Sequence, residues 1–352
     1  MNAEILVRDA AERGASDIHV VYGVPAKCRI DGVLVNLYDG GLAMTDEECD
    51  ALAEELAGDE YHEIENIGQL DLARTIAGRR IRINLFRQQG HVSAALRILS
   101  DTIPNLDKLG LPPVVQDFPT YHKGIILVTG ETGSGKSTTL AALLDRINHT
   151  RREHIITLED PIEYIYEPDQ CLINQREIGT DTESYAAGLR AILREDPDII
   201  LIGEMRDDVT IETAITAAET GHLVFATLHT NSAADSVDRI VGTFPADRQG
   251  QIRLELSQTL KAVLSQQLLL RAGGKGRVVA CECMINTPAI QNLIREGKTP
   301  QMQSTMLTNA DAGSITMDNC LIQMAMSGAI DRNTAVDACN SRDYVKKKLM
   351  MR

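Results

Sequence analysis

Hydrophobic and polar positions follow two regimes along this chain. Over residues 1–100, short helical and alternating segments are mixed. Residues 5–12 have helical spacing, Asp17–Val20 is β-prone, and residues 27–35 place Asp31-Gly32 between β-prone residues, a hairpin signal. Residues 45–56 read as a helix with Thr45 as N-cap and Glu48 at capping-box spacing. In residues 79–87, Ile81, Ile83 and Leu85 alternate with Arg80, Arg82 and Asn84, which predicts a half-exposed strand presenting arginines. Residues 91–99 predict a further strand. The expectation is a compact antiparallel sheet with flanking helices.

The regime changes across residues 101–119, from Asp101 onward, where Pro104, Gly110, Pro112, Pro113 and Pro119 mark a linker. Beyond it, apolar runs of strand length alternate with helical patterns, the signature of a parallel sheet. From about Asp247 helical spacing dominates: Leu260, Val263, Leu264 and Leu268 fit it, as do Met317, Leu321 and Met324. The reading is an α/β protein with an α+β domain over 1–100, a linker over 101–119, and a parallel-sheet α/β domain over 120–352 ending in helices.

The apolar run 124–129 leads into Gly130-Glu131-Thr132-Gly133-Ser134-Gly135-Lys136-Ser137, which satisfies G-x-x-x-x-G-K-[ST]. Leu140, Leu143, Leu144 and Ile147 follow at i, i+3, i+4 and i+7, so a helix opens at the end of the loop. Glycines let several backbone N–H groups converge on phosphate oxygens, and the helix N-terminus adds positive partial charge. Lys136 then reaches the β- and γ-phosphates and Ser137 holds Mg²⁺. Thr132, Gly133, Ser134, Gly135 and Thr138 complete the nucleotide-binding set.

Three more apolar runs end in titratable residues: 154–158 in Glu159-Asp160-Pro161, 198–202 in Gly203-Glu204, and 222–228 in His229-Thr230. In an open parallel sheet, ligands sit outside the carboxyl ends of the strands. The run before Glu204 reads as a Walker B strand. Glu159, Asp160, Glu163 and Glu204 permit a division between metal shell and general base, with Glu163 the first choice for base. For Glu159 and Asp160, capping the turn at Pro161 is an equal reading. A lone His at a strand end is usually a hydrogen-bonded structural residue; level with the phosphate loop, sensing a γ-phosphate is an equal reading for His229. His222 begins its strand and belongs at the opposite edge.

Composition narrows the function. Hydrophobic residues at 43% and charged residues at 24% describe a globular protein, while 3% aromatics without Trp argue against stacking platforms for single strands. A net charge of -15 opposes a nonspecific nucleic-acid binder. The seven cysteines are scattered, without paired CxxC spacing, and Cys281 and Cys283 read as small buried residues. Residues 1–4 show no signal-peptide pattern, and no apolar run reaches the ~18–20 residues a bilayer span needs.

Together, the runs 130–138, 157–163, 196–207 (DPDIILIGEMRD) and 219–231 (ETGHLVFATLHTN) resemble the Walker A, Asp, Walker B and His boxes of the secretion-superfamily ATPases, most closely the PilT pilus-retraction family. The opening GASDIH at 14–19 is similar too. Residues 289–296 (AIQNLIRE) look like the AIRNLIRE motif associated with retraction, with Gln291 where the family usually has Arg. The longer N-terminal region and four-cysteine zinc module common in assembly and type II secretion ATPases do not figure here. The resemblance implies a PAS-like N-terminal domain, a RecA-like ATPase domain and a homo-hexameric ring. In it, Arg82, or Arg97 on the next strand, serves a neighbouring γ-phosphate. ATP hydrolysis is then expected to swing the N-terminal domain about the linker. That would power pilin removal at a platform protein of the inner membrane, from the cytoplasmic side and without nucleic acid. A pilus-assembly or type II secretion ATPase is the alternative, and a nucleic-acid translocase a more distant one.

Overall fold

A computed structural model of the chain describes residues 2–30, 32–99, 102–274, 276–308 and 310–350. Asp31 of the hairpin signal and Asp101 at the start of the proline-rich stretch lie outside the described residues. The chain divides into two compact units, one of Met1–Thr102 with Pro161–Ile165, the other of Ile103–Asp160 with Tyr166–Arg352.

The first unit contains α1 (Ala3–Glu12), β1 (Asp17–Val20), β2 (Lys27–Ile30), β3 (Val33–Asn36), α2 (Asp46–Ala57), α3 (Tyr61–Ile67), β4 (Gln69–Ile76), β5 (Arg79–Gln88) and β6 (His91–Ile98). Its six strands form an antiparallel sheet in the order β3-β2-β1-β6-β5-β4. The period-2 pattern of β5 decides its faces: Ile81, Ile83 and Leu85 are buried and Arg82 is exposed. Those residues pack with Leu6, Val7 and Ala10 of α1 and Leu52 and Leu56 of α2, each large side chain contributing about 1.5–3 kcal/mol by burial. The start of α2 is fixed by a reciprocal capping box: Glu48 N donates to Thr45 Oγ1 at 3.2 Å and Thr45 N to the Glu48 carboxylate at 3.0 Å.

The second unit contains β7 (Gly124–Thr129), α4 (Lys136–Thr150), β8 (His154–Glu159), β9 (Leu172–Glu177), α5 (Tyr185–Ile192), β10 (Ile199–Ile202), α6 (Asp208–Glu219), β11 (Leu223–Leu228), α7 (Ala233–Gly242), α8 (Gln249–Thr259), β12 (Leu260–Leu270), β13 (Arg277–Ile285), α9 (Pro288–Glu296), α10 (Met302–Thr308), α11 (Met317–Met326), α12 (Arg332–Ala338) and α13 (Arg342–Lys348). The sheet order is β13-β12-β7-β11-β10-β8-β9, parallel except for the β12–β13 pair. Every residue of β7, β10 and β11 is buried, which is why those strands read as unbroken apolar runs. The proline-rich stretch from Ile103 belongs to this unit and carries two 3-10 helices, Leu106–Lys108 and Pro113–Thr120.

The helix expected around Leu260, Val263, Leu264 and Leu268 is instead strand β12. It lies between β7 and β13, and Val263 and Leu264 pair with Leu127 and Val128. A strand covered on both faces is apolar at consecutive positions, and such a run contains helical spacings by default. Helices resume at α9, and Met317 and Leu321 are buried on α11. Cys281 and Cys283 are buried on β13, and all seven cysteines are free thiols. Among the described residues, no helix is long and apolar enough to cross a membrane.

Candidate functional site: a phosphate loop at the strand ends

The register aligns the carboxyl ends of the parallel strands. Thr129 of β7 pairs with Leu228 of β11, and Ile202 of β10 pairs with Ala226 of β11 and Leu158 of β8. The loop 130–135, the Glu204 turn, the His229 loop and Glu159-Asp160 therefore leave one edge of one sheet.

The loop is shaped by close backbone approach. At Gly130 (φ +140°), a Cβ would stand 2.4 Å from the Gln266 carbonyl oxygen and 2.6 Å from Ser134 Oγ. At Gly133 (φ +81°), a Cβ would face open space. The turn closes through Ser134 N donating to Glu131 O at 3.1 Å. Gly135 is the N-cap of α4, and no side chain caps that end. An uncapped helix N-terminus behind a glycine cradle is a seat for an anion. Lys136 Nζ donates to Gly130 O at 2.7 Å and to Glu131 O at 3.0 Å, which folds the ammonium back over the loop. Ser134 Oγ is buried without a partner among the described residues. These features fit a polyphosphate. Ser137, next on α4, and the Glu204 carboxylate supply oxygen donors suited to a divalent cation. Thr132 lies within the loop, and Thr138 follows Ser137 in the first turn of α4.

The misread strand supplies the wall of the loop. Besides the Gln266 carbonyl beside Gly130, Gln266 Nε2 donates to Thr139 Oγ1 at 2.8 Å, and Ser265 Oγ shares a 2.8 Å hydrogen bond with Thr129 Oγ1.

Glu204 is the centre of charge in this unit. Its Oε2 lies 2.7 Å from Arg206 Nη2 and its Oε1 3.5 Å from His229 Nε2. Burial opposes ionisation, but the Arg206 hydrogen bond and charge, with the charges of His229 and Lys136, outweigh it and hold the carboxyl below its usual range. Arg206 was not singled out from the sequence; its position two residues after Glu204 was the available signal. Its own pKa is raised, chiefly by the Glu204 hydrogen bond and also by the Asp160 charge. Tyr185, likewise missed, sits nearby: a Cβ on Gly203 would meet its hydroxyl at 2.9 Å. Burial, then the charge of Asp160, pushes that phenol up.

The remaining candidates fall differently. Glu159 Oε1 accepts from Thr157 Oγ1 at 2.7 Å and Gln175 Nε2 at 3.3 Å, bonds that hold the end of β8. Glu163 belongs to Pro161–Ile165 and so to the first unit, where Arg80 Nε donates to Ile162 O at 3.2 Å. Lys136, Glu204 and His229 are brought together by the second unit alone. In the first unit, Arg82 and Arg97 are direct cross-strand partners, and Asp17 Oδ1 accepts from Arg97 Nε at 2.9 Å. His222, at the other end of β11, bonds to Ala217 O at 2.8 Å. Asn231 adds a contact the sequence did not reveal, its Nδ2 lying 3.4 Å from Glu131 Oε1 of the phosphate loop.

A mostly parallel α/β sheet with this loop at its carboxyl edge defines a P-loop nucleotide-binding protein. The family model for type II/IV secretion system proteins matches residues 3–345. The chain belongs to that family. It is 44% identical over 339 residues to the type IV pilus retraction ATPase PilT of Pseudomonas aeruginosa, covering 95% of this chain and 97% of that one. It is 37% identical to the type IV pilus ATPase PilU of the same organism, covering 98% and 91%. The crystal structure of a pilus retraction motor PilT with bound ADP superposes with a TM-score of 0.92 at 45% identity, over 99% of each chain.

Proposed function

We propose that this protein is an ATP-hydrolysing motor that powers type IV pilus retraction. The observation that carries this is the likeness to a retraction motor, in sequence and backbone, over nearly the whole chain, with the phosphate loop and Glu204 in place. The proposed organisation is a PAS-like domain over 1–100, a linker over 101–119 and a RecA-like ATPase domain over 120–352. These assemble as a homo-hexamer working on an inner-membrane platform protein from the cytoplasmic side, and on pilin through it, without nucleic acid.

Lys136 and the α4 N-terminus hold the β- and γ-phosphates of ATP, with Thr132, Gly133, Ser134, Gly135 and Thr138 forming the cradle. Ser137 and Glu204, with Asp160 and Glu159, would hold Mg²⁺, which would supply neutralisation of phosphate charge. Glu163 serves as the general base, and Glu204 shares metal positioning and water activation with it. His229 reports the γ-phosphate through its contact with Glu204. Arg82, or its cross-strand partner Arg97, serves charge developing on a neighbouring subunit's nucleotide.

The test is steady-state ATP hydrolysis by wild type, Lys136→Ala and Glu204→Ala, with particle sizing in the same buffer. Turnover that needs both residues, from a ring-sized particle, is expected. A turning-over monomer indifferent to both substitutions overturns the proposal. Gene deletion separates retraction from assembly: cells keep pili but lose twitching under this proposal, and lack pili under the alternative.

A further inference from the structure

After Arg277 at its start, β13 carries one charged residue in an otherwise apolar run, Glu282, which is 3% exposed. Its neighbours on the same face belong to different clusters. Met284 packs into the main core with Ala233 and Val237 of α7, and Ala280 into the cluster built by α11, α12 and α13. Glu282 therefore lies at the seam between the nucleotide-binding core and the C-terminal helices.

A buried carboxylate needs donors, and here both come from helix N-termini. Ala233 N, first in α7, donates to Oε1 at 2.8 Å, and Met317 N, first in α11, donates to Oε2 at 3.3 Å. The N-cap side chains Ser232 and Thr316 already serve Asp235 N and Asn319 N. Glu282 thus satisfies the first N–H of each helix, which those caps leave open. Burial pushes its carboxyl up, and the two N–H donors oppose that.

The α7 end leads to the nucleotide edge by short steps. Ser236 Oγ, fully buried, donates to Ser232 O at 2.7 Å and shares a 2.7 Å hydrogen bond with Thr230 Oγ1. Thr230 follows His229, which contacts Glu204, and Asn231 reaches Glu131 of the phosphate loop. At the other end, Ile315 pairs with Cys283 by two backbone bonds of 2.8 and 2.9 Å, so α11 starts on the same strand.

We propose that Glu282 is a positioning residue that holds the His229–Asn231 loop at the phosphate edge and links it to α11, so that nucleotide binding is felt by the C-terminal helices. The inference rests on the nucleotide site proposed above. Glu282→Gln keeps the shape but breaks the arrangement. An amide has one acceptor oxygen, so its nitrogen, a donor, must face one of the two N–H groups.

The experiment compares full-length wild type, Glu282→Gln, Thr230→Val and the double variant in steady-state hydrolysis. Hydrogen exchange of residues 233–242 and 317–326 is followed with and without ADP, and ADP affinity is measured alongside. Glu282→Gln is expected to lower kcat about tenfold with KM within about twofold, the scale of a small misplacement of catalytic groups. In the Thr230→Val background the same change should cost less than about twofold, because both break one path. ADP should alter exchange in both segments of wild type, and in 317–326 less in Glu282→Gln. A fully additive double variant, or a folded Glu282→Gln with unchanged kcat, overturns the proposal. So does a wild-type segment 317–326 indifferent to bound ADP, a result that needs no variant to fold. Failure of wild type to bind ADP would instead remove the nucleotide-site reading itself.

Discussion

Gly130→Ala tests the geometry of the phosphate loop more sharply than removal of its lysine. At φ +140°, a region that L-residues rarely adopt, an alanine is strained by about 1–3 kcal/mol. The new methyl would also stand 2.4 Å from a backbone oxygen, Gln266 O, and 2.6 Å from Ser134 Oγ. The serine can turn away, but the oxygen belongs to β12 inside the sheet, where Gln266 pairs with Cys281 of β13 and its neighbour Ser265 with Thr129 of β7, so it cannot move without disturbing that pairing. Overpacking of this kind costs a further ~1–3 kcal/mol. Gly133→Ala shares the positive φ but meets open space, so it bears only the backbone cost. We therefore expect Gly130→Ala to be less stable than Gly133→Ala by about 1–3 kcal/mol in urea titrations followed by circular dichroism. It should also bind fluorescent ADP at least about tenfold more weakly, since the loop must shift to admit the methyl. Equal stability and equal ADP affinity of the two variants would refute the argument that β12 forms the wall of this loop.

Leu264→Ala, in the strand that replaces the expected helix, should destabilise the second unit by about 2–5 kcal/mol in the same titrations, because Leu264 is fully buried between β7 and β13. In the first unit, burial first and then Asp9 raise Tyr38 to about 12, while burial and the Asp50 charge raise Tyr61 to about 12. Folded values above the unfolded value of 10.0 mean that this stability is full below pH 10 and is lost as pH rises toward 12. Tyr38→Phe with Tyr61→Phe should flatten the alkaline fall in urea midpoint. Cys281 and Cys283 are buried, with burial raising Cys283 to about 12, so a thiol reagent at pH 8 should reach both only when the sheet opens, after Cys339. Labelling of Cys283 at the rate of Cys339 would contradict its placement.

What the sequence revealed depended on whether a signal was contiguous. The phosphate loop was legible because its glycines, lysine and flanking strand and helix occupy one uninterrupted stretch. The alternation of β5 and the capping box of α2 were legible for the same reason: each is a local rule acting over a few residues. β12 was misread because two-sided burial erases the period that distinguishes strand from helix. The half-exposed β9, Leu172–Glu177, was passed over because its mixed residues carry little pattern.

Side-chain partnerships were the part least available to inspection, and they decide what the site can do. That Glu204 is held between Arg206 on its own loop and His229 after the neighbouring strand follows from side-chain placement: the first partner is two residues away, but no spacing rule connects the second. That Glu159 spends one carboxylate oxygen on Thr157 and Gln175 follows from the pairing of β8 with an unread strand. Glu282 shows the converse. A single acid inside Val278-Val279-Ala280-Cys281-Glu282-Cys283-Met284 breaks the local rule for a buried strand, and such a break marks a charge that tertiary structure must satisfy. The structure satisfies it with two helix N-termini from different clusters. Removing that carboxylate therefore leaves two helices short of an acceptor at once, and the loss should register at the phosphate edge as well as in the C-terminal helices.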